Sequence, residues 1–274
     1  PVHIEAFAEG EAGVAKETLT VEGPRGPVPV RLYRPPEPDS DMAPLVYAHF
    51  GGGTLGGLES CDAFCSILAK GVRGPVLSVD YRLAPEHRFP AGLEDVLAVF
   101  RHARDHAQAL GGPEGHAAIG GDSIGGNFAA AICQELRRLG EPQPSLQLIV
   151  YPPLDATAQT QSMVTYGGYP PSRELMQWQC AHYIGAGDDP SDPRISPLKA
   201  KDLSGLAPAV VVTAGFDPLQ DQGEAYARHL LDAGVPLVFL GYDHLVHGFT
   251  AFTGAVPAAD CAGRGIAGLI REGL

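Results

Sequence analysis

Ala117-Ala118-Ile119-Gly120-Gly121-Asp122-Ser123-Ile124-Gly125 decides the reading of this chain. A short apolar run leads into G-x-S-x-G, and a helical stretch, Gly125 to Leu139, follows. A serine on a tight strand-to-helix turn holds an unfavourable backbone conformation. Its close neighbours must be small, which accounts for Gly121 and Gly125. The turn lifts the hydroxyl clear of the sheet and sets the Ile124 N–H at a helix N-terminus, where it can stabilise an oxyanion. Ser123 is therefore the candidate nucleophile. A bare G-x-S-x-G also arises by chance, and the flanking strand and helix raise this one above that background.

Outward from this turn, short β-branched runs alternate with helical stretches. Val28 to Tyr33 alternates apolar and polar residues, as an antiparallel strand covered on one face would. Leu45 to His49, Val76 to Tyr81, Leu146 to Tyr151, Ala209 to Ala214 and Pro236 to Tyr242 are further strand candidates. Most are continuous apolar runs, the mark of strands buried on both faces. Helices are expected over Leu93 to Leu110, Gly125 to Leu139, Asp221 to Ala233 and Ala258 to Glu272. The pattern predicts an α/β fold with a central, mostly parallel twisted sheet flanked by helices. Ala156 to Leu198 breaks the rhythm and reads as an insertion over the carboxyl end of the sheet, where ligands of such folds bind.

Three strand-end loops carry the rest of the chemistry. His49-Phe50-Gly51-Gly52-Gly53 follows the strand candidate Leu45 to Tyr47. Its three glycines leave backbone N–H groups unshielded, so two of them, with Ile124, are candidate oxyanion donors. Nucleophile, acid and histidine follow one another in this kind of fold, each at a strand end. Asp217 in Gly215-Phe216-Asp217-Pro218-Leu219 and His247 in the loop Asp243 to Phe249 fill the last two places. Asp221 competes with Asp217 but suits the start of the next helix. His244 competes with His247 and suits the pocket rim or solvent.

Composition bounds the function from outside. The 274 residues carry a net charge of −13, which argues against nucleic-acid or anionic-membrane partners. No apolar run reaches the ~18 residues of a membrane helix, so no membrane insertion is expected. The five cysteines are too scattered for a disulfide framework or a metal site and fit a reducing, cytoplasmic location. The chain opens on Pro1 with no visible signal peptide.

With these pieces in place, the chain resembles the hormone-sensitive-lipase-like esterases, the bacterial family IV carboxylesterases. Gly121 to Asn127 is similar to that family's G-D-S-A-G-G-N, Asp217-Pro218-Leu219 to its D-P-L, and His247-Gly248-Phe249 to its H-G-F. Asp80 to His87, followed by Phe89-Pro90-Ala91, resembles an architectural block of the same family. The resemblance implies an α/β-hydrolase fold in one domain over 1–274, with a cap from about 1–16 and 156–198. It also implies hydrolysis of short- to medium-chain esters through an acyl-enzyme, with no metal or organic cofactor, and allows a homodimer. An amidase or arylformamidase and a non-catalytic ligand-binding protein are the alternatives on the same scaffold. Two departures stand out. The front of the chain is short for the family's N-terminal cap helices. Phe50 and Gly53 stand where the family has a glycine and an aromatic, so Gly53→Phe is expected to change substrate preference more than stability. An ungapped register through Gly56, Leu58, Glu59 and Ser60 implies Gly51 and Gly52 as the oxyanion donors, and a one-residue slip would make them Gly52 and Gly53.

Overall fold

The computed structural model describes residues 10–273. In chain order these form β1 (Ala15–Gly23), β2 (Gly26–Arg34), β3 (Leu45–Ala48), α1 (Asp62–Val72), β4 (Val76–Val79), α2 (Ala91–Asp105), α3 (Ala107–Leu110), β5 (Ala118–Asp122), α4 (Ile124–Leu139) and β6 (Gln147–Val150). There follow α5 (Gln161–Thr165), α6 (Arg173–Tyr183), β7 (Ala209–Phe216), α7 (Gln220–Asp232), β8 (Leu237–Val246) and α8 (Pro257–Glu272). The eight strands make one sheet in the order β1-β2-β4-β3-β5-β6-β7-β8. β2 runs antiparallel to both its neighbours, and β4 through β8 are parallel.

The two faces of the sheet follow from the two-residue period of a strand. Val46, Ile119, Ile149 and Val211 point to a core shared with Val96, Phe100, Phe128, Ile132 and Tyr226 of α2, α4 and α7. Their chain neighbours Leu45, Tyr47, Ala118, Leu148 and Val210 point to the other core, with Phe64, Leu68 and Ile266 of α1 and α8. Burial on both faces explains why these strands read as unbroken apolar runs.

Besides α5 and α6, which lie in the segment read only as an insertion, β1 and α1 went unread in the sequence. In β1 only Val21 is buried, so the strand shows too little apolar alternation to stand out. In α1 eight of the eleven residues are buried, which blurs the helical stripe. The helix expected over Leu93 to Leu110 divides at His106, which leaves the helical basin at φ −118°, ψ 19° between α2 and α3. The expected loop from Asp243 is instead a continuation of β8, because Val246 pairs with Phe216 across an irregularity in which β8 carries the extra residues. Of the segment 1–16, residues 1–9 lie outside the described residues, and Ala15 and Lys16 begin β1.

Candidate active site

Ser123 occupies the single residue between β5 and α4, with φ 55° and ψ −120°. That backbone costs about 1–3 kcal/mol for a residue with a side chain. The turn is tight enough that a Cβ on Gly125 would lie 1.9 Å from the Ala48 carbonyl oxygen. The glycine spacing of the motif is therefore a steric demand of β3 against the turn.

Pairing of β7 with β8 brings the next two groups together. Phe216 faces Val246, so the residues that follow, Asp217 and His247, emerge side by side at the carboxyl end of the sheet. His247 Nδ1 lies 2.8 Å from Asp217 Oδ2, and His247 Nε2 lies 3.0 Å from Ser123 Oγ. Asp217 is fully buried, and its Oδ1 accepts a hydrogen bond of 2.8 Å from the Leu219 N–H. Both carboxylate oxygens are thus engaged, which fixes the imidazole with Nδ1–H toward Asp217 and Nε2 free to accept from the serine. The competitors stand apart. Asp221, in the first turn of α7, accepts from the Ser162 N–H at 2.8 Å, and His244 is exposed.

The glycine loop holds three successive positive φ angles: 126° at Gly51, 64° at Gly52 and 72° at Gly53. Among the described residues, the N–H groups of Gly51 and Gly52 and that of Ile124 have no hydrogen-bond acceptor. Gly52, Ser123 and Ile124 line one cavity of about 100 Å³. Its walls are mainly apolar: Ile124, Pro153 and Ile195 from the sheet end and the loops beneath, Met163, Met176 and Tyr183 from α5 and α6.

The family model for the alpha/beta hydrolase fold matches residues 45–251. The carboxylic ester hydrolase LipN of Mycobacterium tuberculosis is 45% identical over 260 residues, covering 90% of this chain and 68% of LipN. The ethyl acetate hydrolase of Pseudomonas putida is 40% identical over 237 residues, covering 85% of this chain and 74% of that one. The chain belongs to the hormone-sensitive-lipase-like carboxylesterases. Its α/β-hydrolase fold superimposes on the hyperthermophilic esterase of Pyrobaculum calidifontis with a TM-score of 0.92 and 37% identity, covering 98% of this chain and 88% of that one.

Around this carboxylesterase site lie groups to which the sequence reading assigned no role. Asp122 is fully buried, and its Oδ2 accepts from Tyr151 Oη at 2.8 Å and Thr250 Oγ1 at 3.0 Å. The Tyr151 ring in turn packs against the His247 imidazole, centroid to centroid 4.7 Å. Burial pushes the Asp122 carboxyl above its ordinary range, against the opposing pull of those hydroxyls. Asp122 sits inside the motif that was read, yet its partners lie 29 and 128 positions away, so no local pattern announced them.

His49, at the head of the glycine loop, is a second buried titratable group. Its ring stacks on Tyr81 at 4.2 Å, Nδ1 lies 2.6 Å from the Phe50 carbonyl oxygen, and Nε2 has no partner among the described residues. Burial lowers its pKa to about 4, against the raising effect of the Phe50 carbonyl. Between that value and the ordinary ~6.5, the unfolded chain binds a proton that the folded one refuses. Stability then rises with pH through this window and is lost as pH falls. From pH 7 to pH 5 the loss from His49 alone is expected to be about 2 kcal/mol. Urea unfolding of wild type and His49→Gln at both pH values checks this. The wild type should lose more than the variant by that margin, and equal losses would clear His49 of the role.

Proposed function

We propose that this protein hydrolyses short-chain carboxylic esters through an acyl-enzyme formed on Ser123. The observation that carries this reading is the continuous hydrogen-bonded line Ser123–His247–Asp217 opening on to a small apolar cavity. His247 Nε2 takes the hydroxyl proton as Oγ attacks the ester carbonyl. Asp217 holds the imidazole in the required tautomer and stabilises the imidazolium that forms. The developing oxyanion is received by the N–H groups of Gly51, Gly52 and Ile124. Gly52 lines the cavity beside Ser123 and Ile124, which supports its N–H as one of the donors. Collapse of the tetrahedral intermediate expels the alcohol with the proton from His247, and water then repeats the sequence on the acyl-enzyme. These groups and one water per turnover supply every bond and proton that the cycle needs.

The segment 156–198 serves, on this reading, as the cap of a single domain: α5 and α6 form the cavity's outer wall. An apolar cavity of 150 Å³ holds a six-carbon ring, so 100 Å³ suits an acyl chain of about four carbons. Among p-nitrophenyl acetate, butyrate, octanoate and palmitate, kcat/KM is expected to peak at butyrate and to drop at least tenfold by octanoate. A fluorophosphonate should label Ser123 and abolish the activity. Labelling without turnover of any ester, together with cleavage of a matched anilide, would instead support an amidase. Neither labelling nor turnover would support a binding role.

A further inference from the structure

The cap helix α6 presents Met176, Gln179, Cys180 and Tyr183 to the cavity, a helical spacing of three, one and three residues. Of the two with a strong hydrogen-bonding head, Tyr183 leaves its hydroxyl without a partner among the described residues, whereas Gln179 turns its amide on the glycine loop. Its Nε2 donates to the Gly51 carbonyl oxygen at 3.2 Å, across 128 positions of sequence. The amide lies so close over the loop that a Cβ on Gly52 would fall 2.2 Å from Gln179 Cδ. The same carbonyl accepts from the N–H groups of Thr54 and Leu55, each at 3.1 Å, and from Thr54 Oγ1 at 3.1 Å.

The Gly51 carbonyl and the Gly52 N–H belong to one peptide unit. A hydrogen bond received at the oxygen polarises the N–H at the other end and resists rotation of the peptide plane. Glycines at φ 126° and 64° have no side chain to hold that plane; Thr54 and Leu55 hold its oxygen from within the loop, and Gln179 is the donor that reaches it from α6. From this geometry we infer that Gln179 is a positioning residue for ester hydrolysis: its amide clamps the Gly51–Gly52 peptide so that the Gly52 N–H stays aimed at the oxyanion. The cap thereby contributes to the transition state as well as to the cavity wall. The inference rests on the oxyanion donors proposed above.

Two variants test it, with p-nitrophenyl butyrate as substrate and an alkyl trifluoromethyl ketone as inhibitor. That ketone binds by bonding its carbonyl carbon to Ser123 Oγ, which leaves an oxyanion in the same place. Gln179→Met keeps the length and loses the donor. It is expected to lower kcat about tenfold and to raise the ketone Ki by the same factor, while KM stays within about threefold. In Gln179→Glu the carboxylate faces a carbonyl and donates only when protonated. Its kcat relative to wild type should be lowest at pH 8 and should climb as pH falls to 5. Unchanged kcat and Ki in Gln179→Met overturn the inference, and so does a rise in KM alone, which is the mark of a side chain that only packs. Wild type inactive on esters overturns the esterase reading and this inference with it. Active wild type beside an unaffected Gln179→Met overturns the inference alone.

Discussion

Ser123→Ala and His247→Ala are each expected to lower kcat on p-nitrophenyl butyrate by about 10⁴- to 10⁶-fold, with the double variant falling little further. The two residues act as one device. Without the serine there is no acceptor for the acyl group, and without the imidazole the hydroxyl at 3.0 Å keeps its proton. Residual activity comes from the oxyanion donors and from binding, which neither change removes. Stability should hardly move in Ser123→Ala, because alanine meets the same backbone strain at φ 55° and the change removes only the bond to His247. Steady-state kinetics with thermal unfolding on the three variants checks both halves. Losses that multiply in the double variant would show that the two residues work independently, and the proposed mechanism would fail.

Gly53→Phe is the second large effect, and here the structure reverses the expectation drawn from sequence. Gly53 is buried at φ 72°, in the left-handed region where a side chain costs about 1–2 kcal/mol. Its Cβ would stand 2.7 Å from Cδ2 and 3.0 Å from Cε2 of Tyr183. That ring has little room to yield, since it packs on Phe89 and Phe128, and its own carbonyl accepts from the Phe89 N–H at 2.9 Å. Overpacking adds about 1–3 kcal/mol, so the variant is expected to lose roughly 2–5 kcal/mol of stability. Tyr183 of α6 lays an aromatic ring against Gly53, a position that has no side chain of its own. Urea unfolding and the acyl-chain series, measured together, decide the point. Wild-type stability with an altered chain preference would restore the expectation from sequence.

The contrast between these two positions marks how far the sequence reaches. Ser123, Asp217 and His247 were legible because each lies at a strand end, and strands buried on both faces announce themselves as apolar runs. The turn around Ser123 carried its own steric signature in Gly121 and Gly125. The motif shows those glycines within five residues, although the atom that demands glycine at 125 is the Ala48 carbonyl oxygen, 77 positions away in β3. Gly53, Asp122, His49 and Gln179 were another matter. Their partners are Tyr183, Tyr151 and Thr250, Tyr81, and Gly51, between 29 and 130 positions away. Nothing in the periodicity of α6 says that Gln179, rather than Gln177, reaches a glycine loop between β3 and α1. The sequence by itself determined the strands β2 to β8, the order of the chemistry-bearing loops and the residue types they bring. Only the tertiary structure decided the tilt of the Gly51–Gly52 peptide, the size of the cavity and the burial of Asp122 and His49. Those depend on which distant side chains fill the same few ångströms, and a pattern along one chain does not carry that information.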